Sequence, residues 1–274
     1  LRDKVIVISG ASSGIGAATA IACAQAGMHV ALGARRLDKL RDVAAQVEQL
    51  GRRALVCVCD VDRDDEVARF IAAAERELQR IDVCFANAGY GLVSPVLETS
   101  DAQVRAIFET NVYGTLRLMR AALPVMRRTS PQPHLVVCSS SASEIAPPLY
   151  GVYAATKAAQ DSMTQALRVE LHAQGIAVSS VHPVGTRTEF FARAHRNGHD
   201  ESADPIQLNT PTMLMQSPQH VARRIVACLR RPRPEVWPSP LTRYGVALCT
   251  AFPSLADWAL RRMFARRDAR RDGE

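Results

Sequence analysis

Tyr153 and Lys157 stand four residues apart among small apolar neighbours, Ala154, Ala155, Ala158 and Ala159. On a helix that spacing puts a phenol and an ammonium on one face. A phenol alone, with a pKa of about 10, exchanges its proton poorly at neutral pH. A nearby ammonium favours the phenolate and lowers that value, so the pair reads as a general acid/base unit. Lys157 is one of only three lysines, with Lys4 and Lys39, in a chain of 34 basic residues. Where arginine supplies positive charge nearly everywhere else, a lysine inside a helix points to a need for ammonium geometry. Tyr150 is a decoy, because four residues beyond it stands Ala154 rather than a lysine. Ser140 precedes Tyr153 by thirteen residues at the end of an apolar run. Strand alternation sends its neighbours Ser139 and Ser141 to the opposite face.

A second cluster is Ser9-Gly10-Ala11-Ser12-Ser13-Gly14-Ile15-Gly16. Its three glycines permit a tight turn, let backbone N–H groups approach a diphosphate, and let the next helix pack closely. The loop follows the apolar run Val5–Ile8 and opens an alanine-rich helix to Ala26, so it reads as nucleotide-binding rather than as a plain turn. The second strand ends Ala34-Arg35-Arg36, about twenty residues further on. An acid there accepts hydrogen bonds from the adenosine ribose diol, whereas arginine pairs with a 2′-phosphate. Arg35 is the first candidate for that phosphate and Arg36 the second. NADP(H) is therefore the expected cofactor, ahead of NAD(H).

The elements that must position these groups are legible as alternating patterns. Strands are expected at Lys4–Ser9, His29–Ala34, Ala54–Cys59, Asp82–Ala86, His134–Ser140, Ile176–His182 and Glu235–Trp237. They are nearly continuous apolar runs, as in strands buried on both faces. Between them lie helical stripes: Leu40, Val43, Val47 and Leu50; Val67, Phe70, Ile71, Ala74 and Leu78; Val104, Phe108, Val112, Leu116 and Met119. Ser217-Pro218 reads as a cap opening a helix with Val221, Ile225 and Leu229 inward. The alternation implies an α/β fold, a doubly wound, mostly parallel seven-stranded sheet with helices on both faces and a C-terminal helical tail. Residues 1–240 are expected to form one domain, with a substrate-loop excursion at 187–216 and a basic extension at 241–274.

Taken together, the Gly-x-x-x-Gly-x-Gly loop, Asp60-Val61, Asn87-Ala88-Gly89, Asn111, Ser140 and Tyr153-x-x-x-Lys157 resemble the short-chain dehydrogenase/reductase family in its compact form. The resemblance runs from residue 4 to about residue 237. It implies hydride transfer between a nicotinamide and a carbonyl or secondary alcohol, without a metal. It implies that Tyr153 is the general acid/base, that Ser140 polarises the substrate oxygen, and that Lys157 also binds the nicotinamide ribose. Asn111 would hold a water near that lysine. Asp60 and Val61 would sit at the adenine, with Asn87, Ala88 and Gly89 supporting the cofactor loop. After the sixth strand, Pro183, Thr186 and Thr188 fall where relatives contact the cofactor, but Val184 replaces the usual glycine. Ala34 stands where NAD-preferring relatives often carry an acid, and Ser13 lacks the basic side chain of some NADP-preferring ones.

Composition bounds the alternatives. With 47% hydrophobic and 22% charged residues the 274-residue chain is an ordinary globular one. No apolar run is long enough to span a membrane, and Val5–Ile8 is too short for a signal peptide, so the cytoplasm is expected. Seven scattered cysteines read as reduced core residues, Cys57 and Cys59 included. The whole net charge of +7 falls in residues 221–274, twelve arginines against five acids. Without aromatic interleaving in the body of the chain this excess does not point to nucleic acid. The tail, with Leu255, Trp258, Ala259 and Arg262 at helical spacing followed by Met263, Phe264 and four more arginines, is expected to pack on its own subunit or a partner, in preference to a membrane surface. A homodimer or homotetramer acting on a small molecule is the expected state. A catalytically idle redox sensor is the alternative, which an intact Ser140, Tyr153 and Lys157 argue against. His195 and His199 are four apart, but Gly198 lies between them and no third ligand is evident, so no metal is expected. Phe190, Phe191, Leu208, Met213 and Met215 are candidates for an apolar substrate wall.

Overall fold

The structure, a computed structural model, describes residues 1–186, 215–258 and 260–262. Its strands are β1 (Val5–Ser9), β2 (His29–Ala34), β3 (Ala54–Val58), β4 (Val83–Ala86), β5 (His134–Cys138), β6 (Ala177–Val181) and β7 (Glu235–Val236). They form one sheet, paired in parallel throughout, in the order β3-β2-β1-β4-β5-β6-β7. Each lies within two residues of the run that predicts it. The helices are α1 (Gly14–Gln25), α2 (Leu37–Gln49), α3 (Asp64–Leu78), α4 (Asp101–Phe108), α5 (Gly114–Thr129), α6 (Gly151–Glu170), α7 (Pro218–Arg230) and α8 (Pro240–Ala251).

Strand side chains alternate between two cores, as a pleated sheet covered on both faces requires. Ile6, Ile8, Val30 and Leu32 pack with residues of α1, α2 and α7 on one face. Val5, Val7 and Ala31 pack with α3 and α5 on the other. The predicted α3 stripe is wholly buried, and so are Leu40, Val43 and Val47 of α2, whereas Leu50 is exposed. Ser217 caps α7 by accepting the His220 N–H at 3.1 Å, with Pro218 in the first turn and Val221, Ile225 and Leu229 buried as expected.

One expected stripe differs. Val104 to Met119 reads as one unbroken helix, but a π-helical turn at Glu109–Tyr113 separates α4 from α5. The wider turn rotates the apolar face. Ile107 is buried before it and Leu118, Met119, Ala122, Val125 and Met126 after it, while Val104, Phe108 and Leu116 are only half-buried.

The chain order reverses between β1 and β4, the place where such sheets open a crevice at the strand ends. The opposite end of that junction is pinned by Asp82, which is fully buried. Its carboxylate accepts the Val5 N–H at 2.8 Å, the Ser130 hydroxyl at 2.9 Å and two Arg80 N–H groups at 2.6 and 2.8 Å. At the C-terminus, Leu241, Tyr244, Leu248, Phe252, Leu255 and Trp258 are all at least 39% exposed, so much of the apolar surface of this segment is left open. Ala259, Met263 and Phe264 lie outside the described residues. Among those described, no helix is long and apolar enough to cross a membrane.

His134, at the start of β5, is buried with Nε2 2.8 Å from Ser179 Oγ. Burial, aided by the Lys4 charge, lowers its pKa to about 4. The unfolded chain takes up this proton near pH 6.5 and the folded chain only near 4, so stability falls as pH drops through that window. Between about pH 7.5 and about pH 5 the loss from this residue is about 2 kcal/mol. Urea unfolding of His134→Gln should show a smaller acid-induced loss than the unsubstituted protein. Equal losses in the two proteins would clear His134 as the source.

Candidate active site

The glycine loop is shaped by a neighbouring turn. Gly10 and Gly14 have positive φ values, +65° and +58°. A Cβ on Gly16 would lie 2.4 Å from Gly10 O and 2.7 Å from Asn87 Nδ2, and one on Gly10 would lie 2.9 Å from Ala88 Cα. No side chain fits either place. Ser9 Oγ accepts the Asn87 and Ala88 N–H groups, both at 3.0 Å. Asn87 Nδ2 in turn donates to Ser9 O at 3.0 Å and Gly10 O at 3.3 Å. Ser13 is the residue before α1, whose first turn carries no acid, and Ile15 is half-buried against the first core.

Arg36 reaches back over this loop, donating to Ser13 Oγ at 2.7 Å and to Ser12 Oγ at 3.2 Å. The helix N-terminus and the guanidinium make the loop electropositive, and the glycines leave its backbone bare. That cradle fits a dinucleotide diphosphate. Arg35 takes a different place, 67% exposed with Nη1 3.7 Å from Asp60 Oδ2. Ala34 beside it is buried and neutral. Val61 is buried under α5, where Gly114 leaves room for it: a Cβ there would fall 2.7 Å from Val61 Cγ2.

The second half of the site hangs on α6. Tyr153 and Lys157 are buried one turn apart, with Nζ 5.7 Å from the phenol ring centroid. Lys157 Nζ donates to Cys138 O and to Gln160 Oε1, both at 2.8 Å. Burial lowers the Lys157 pKa to about 8. Burial pushes the Tyr153 phenol up, against a hydrogen bond with Ser140 that pulls it down. The expectation of a phenol lowered by its lysine is therefore not met in this arrangement. The ammonium directs protons at two neutral oxygens rather than at the phenol, and desolvation dominates. Ser140, in extended backbone just past β5, accepts the Ala142 N–H at 3.1 Å. Ser139 points the other way, donating to Lys157 O at 3.3 Å.

Asn111 lies in the π turn and is fully buried. Its side chain accepts the Tyr90 N–H at 3.0 Å and donates to Tyr90 O and Thr156 Oγ1, also at 3.0 Å. Gly89 just before Tyr90 has no room for a side chain, since a Cβ would come 2.9 Å from Asn111 Oδ1. The glycine loop, Asn87 to Gly89 and Ser140 thus gather along the ends of β1, β4 and β5, with Asn111 in the π turn and Arg35, Arg36, Asp60 and Val61 just past β2 and β3. Farther off, Pro183 O accepts the Ser141 N–H at 3.1 Å and Thr186 Oγ1 donates to Val184 O at 2.8 Å. Thr186 also bridges to Gln216, which brings the two ends of the excursion together. Thr188, Phe190, Phe191, His195, His199, Leu208 and Met213 lie outside the described residues.

Two residues escape the sequence reading. Gln160 follows Tyr153 by seven and Lys157 by three, so helical spacing alone could have found it. His182, fully buried, faces Ser140 O at 3.3 Å through Nδ1 and Ser180 Oγ at 2.9 Å through Nε2. Its signal is only its place at the end of a strand neighbouring β5.

Comparisons with known proteins agree with this fold. The family model described as short chain dehydrogenase matches residues 4–198. Glycine betaine reductase ATRR of Emericella nidulans is 35% identical over 234 residues, which are 85% of this chain and 18% of that protein. The chain therefore spans under a fifth of that relative's length. Among solved structures, an alcohol dehydrogenase from Thermococcus sibiricus complexed with 5-hydroxy-NADP has a TM-score of 0.74 at 28% identity, covering 85% of this chain and 95% of that one. A short chain dehydrogenase/reductase from Burkholderia phymatum in complex with NAD has a TM-score of 0.81 at 26% identity, covering 93% and 95%.

Gly16→Ala should push α1 off the loop, since the added carbon meets backbone rather than a flexible side chain. The expected cost is at least about 1–3 kcal/mol, with dinucleotide affinity lost. Gly245→Ala, in open space on α8, should be neutral or stabilising. Thermal unfolding and dinucleotide titration read both, and an undisturbed Gly16→Ala protein would refute this account of the loop.

Proposed function

This chain belongs to the short-chain dehydrogenase/reductase family of oxidoreductases, and we propose that it moves a hydride between NADP(H) and a carbonyl or secondary alcohol, with Tyr153 as general acid/base. The observation that carries the reading is a buried phenol hydrogen-bonded to Ser140 and one turn from a buried ammonium. The nicotinamide, when bound, supplies or accepts the hydride. Burial keeps the Tyr153 phenol protonated at neutral pH, ready to donate to a carbonyl oxygen. Ser140 orients that oxygen. Lys157 adds positive charge that favours the phenolate once the proton has left, and two of its three donors are engaged by Cys138 O and Gln160 Oε1. The third is available to the nicotinamide ribose.

The NADP preference is supported by the neutral Ala34 and the two arginines that follow it. Arg36, bonded to Ser12 and Ser13, belongs to the diphosphate loop; Arg35, exposed beside Asp60, is the group for the 2′-phosphate. Asp60 and Val61 serve the adenine, and Pro183, Thr186 and Thr188 the nicotinamide end. We place the protein in a reducing, cytoplasmic setting as a homodimer or homotetramer. Its seven cysteines are free, with Cys23, Cys59 and Cys84 pushed up to about 12 by burial. The exposed apolar side chains of α8 suit a partner subunit, and membrane-surface contact by the tail is the less favoured use.

Tyr153→Phe should lower NADPH-dependent carbonyl reduction by about 10²–10⁴-fold while NADPH binding, followed by fluorescence, stays near normal. Ser140→Ala should also cripple turnover and Tyr150→Phe should spare proton transfer; near-normal turnover by Tyr153→Phe would end the assignment. Arg35→Ala should weaken NADPH by roughly 10- to 150-fold more than NADH, since only the former carries the 2′-phosphate. Equal losses for the two cofactors would make Arg35 a support of the fold instead.

A further inference from the structure

Gln160 is 1% exposed on α6, and every polar atom of its amide is engaged. Oε1 accepts Lys157 Nζ at 2.8 Å. Nε2 donates to Asn111 O at 2.6 Å and to Thr115 Oγ1 at 2.7 Å. Thr115 Oγ1 itself donates to Asn111 O at 2.8 Å, so the carbonyl that the π turn presents is doubly bound. The amide's orientation follows from its partners. Turned over, it would set an NH₂ against an ammonium and an oxygen against a carbonyl.

The family resemblance expects a water between the lysine and Asn111. In this chain a side chain makes that link. An ammonium taken out of water is costly unless acceptors replace its hydration. The groups facing Lys157 are Tyr153 on its own helix, Cys138 at the end of β5, and the Asn111 turn; the Tyr153 phenol and the Cys138 thiol both hold their protons through burial. No carboxylate acts on Lys157 among the described residues. Its charge therefore rests on two neutral oxygens, Cys138 O and Gln160 Oε1.

We propose that Gln160 is a positioning residue that holds Lys157 in its charged form and ties it to the π turn at Asn111. The inference deepens the reading of Lys157 as part of the active site and rests on it for its catalytic consequence. The amide keeps its own protons throughout the working pH range, so the link fixes the ammonium without passing protons through Asn111.

The sign of two substitutions separates this role from simple packing. Gln160→Met keeps the length of the side chain but removes the acceptor, which disfavours the ammonium and lowers its pKa. Gln160→Glu places a carboxylate there and raises it. A hydrogen bond to a charged group corresponds to a tenfold or larger change in the protonation constant, about one pH unit or more. With only three lysines in the chain, carbon-13 labelling at lysine Cε yields three NMR signals, and Lys157→Met assigns the one that matters. Its midpoint in the unsubstituted protein is expected near 8. It should move down in Gln160→Met and up in Gln160→Glu, while the Lys4 and Lys39 signals stay in place and report an intact fold. If Gln160→Met does not fold, the upward shift in Gln160→Glu decides alone. An unmoved Lys157 midpoint in the folded variants overturns the proposal. The alkaline limb of the kcat profile should follow the midpoint. A midpoint that moves without it sustains the role of Gln160 and removes Lys157 from the chemistry.

Discussion

Asn87, at the end of β4, gives its amide protons to Ser9 O and Gly10 O at the end of β1, while Ser9 Oγ accepts two backbone N–H groups in return. Through this contact the two strands flanking the reversal of the sheet share one polar seam. The seam continues through Gly89 and Tyr90 to the Asn111 amide, from Asn111 O to Gln160, from Gln160 to Lys157, and from Lys157 to Cys138 O. Three strand ends are thus joined by hydrogen bonds in which only the Lys157 donor carries charge. A neutral bond of this kind is worth only about 1 kcal/mol net, but leaving one partner buried and unmatched costs about 1–3 kcal/mol. The absence of side chains at Gly10, Gly16 and Gly89 is a consequence of this closeness rather than of turn flexibility alone.

Burial acts on the two titrating groups of α6 in opposite senses. It raises the phenol and lowers the ammonium, so each is driven toward its neutral form. A pair brought together only by opposite charge would shift the other way. The site therefore rests as a proton-bearing phenol beside a lysine whose charge is sustained by fixed dipoles. Such dipoles need no rearrangement when charge develops nearby, which is what a preorganised site requires.

Much of this arrangement is legible in the amino-acid sequence. Continuous apolar runs closed by glycine or polar residues locate the strands, and the alanine-flanked Tyr153–Lys157 spacing locates the face of α6 that carries the buried phenol and ammonium. The π turn is not legible, because one residue of extra winding leaves no mark in composition; it is seen in the backbone at Glu109–Tyr113 and in the shift of the buried face. Gln160 completes the Tyr153–Lys157 face in the sequence itself. A glutamine on a helix is ordinarily a surface residue, however, and only the depth of α6 turns it inward. The ranking of Arg35 over Arg36 rests on position along the strand. Where the guanidinium groups lie, Arg36 on Ser12 and Ser13 and Arg35 beside Asp60, depends on side-chain reach, which is not contained in spacing.

The position of Ser140 depends on a part of the chain remote from the glycine loop. His182 lies against Ser140 O and Ser143 Oγ on one side and within 3.4 Å of Asp161 on the other. Its ring is stacked on Trp237, centroids 4.5 Å apart and planes 6° from parallel. Trp237 directly follows the last strand, and α8 begins soon after and packs against the short turn at Ser141–Ser143. The wall behind Ser140 is thus built from β6, β7 and the start of the tail, whereas the Lys157 seam is built from β1, β4 and β5. Ser140 and Lys157 are therefore held by separate parts of the chain, the first through contacts that reach the C-terminal segment and the second through the seam that begins at the glycine loop.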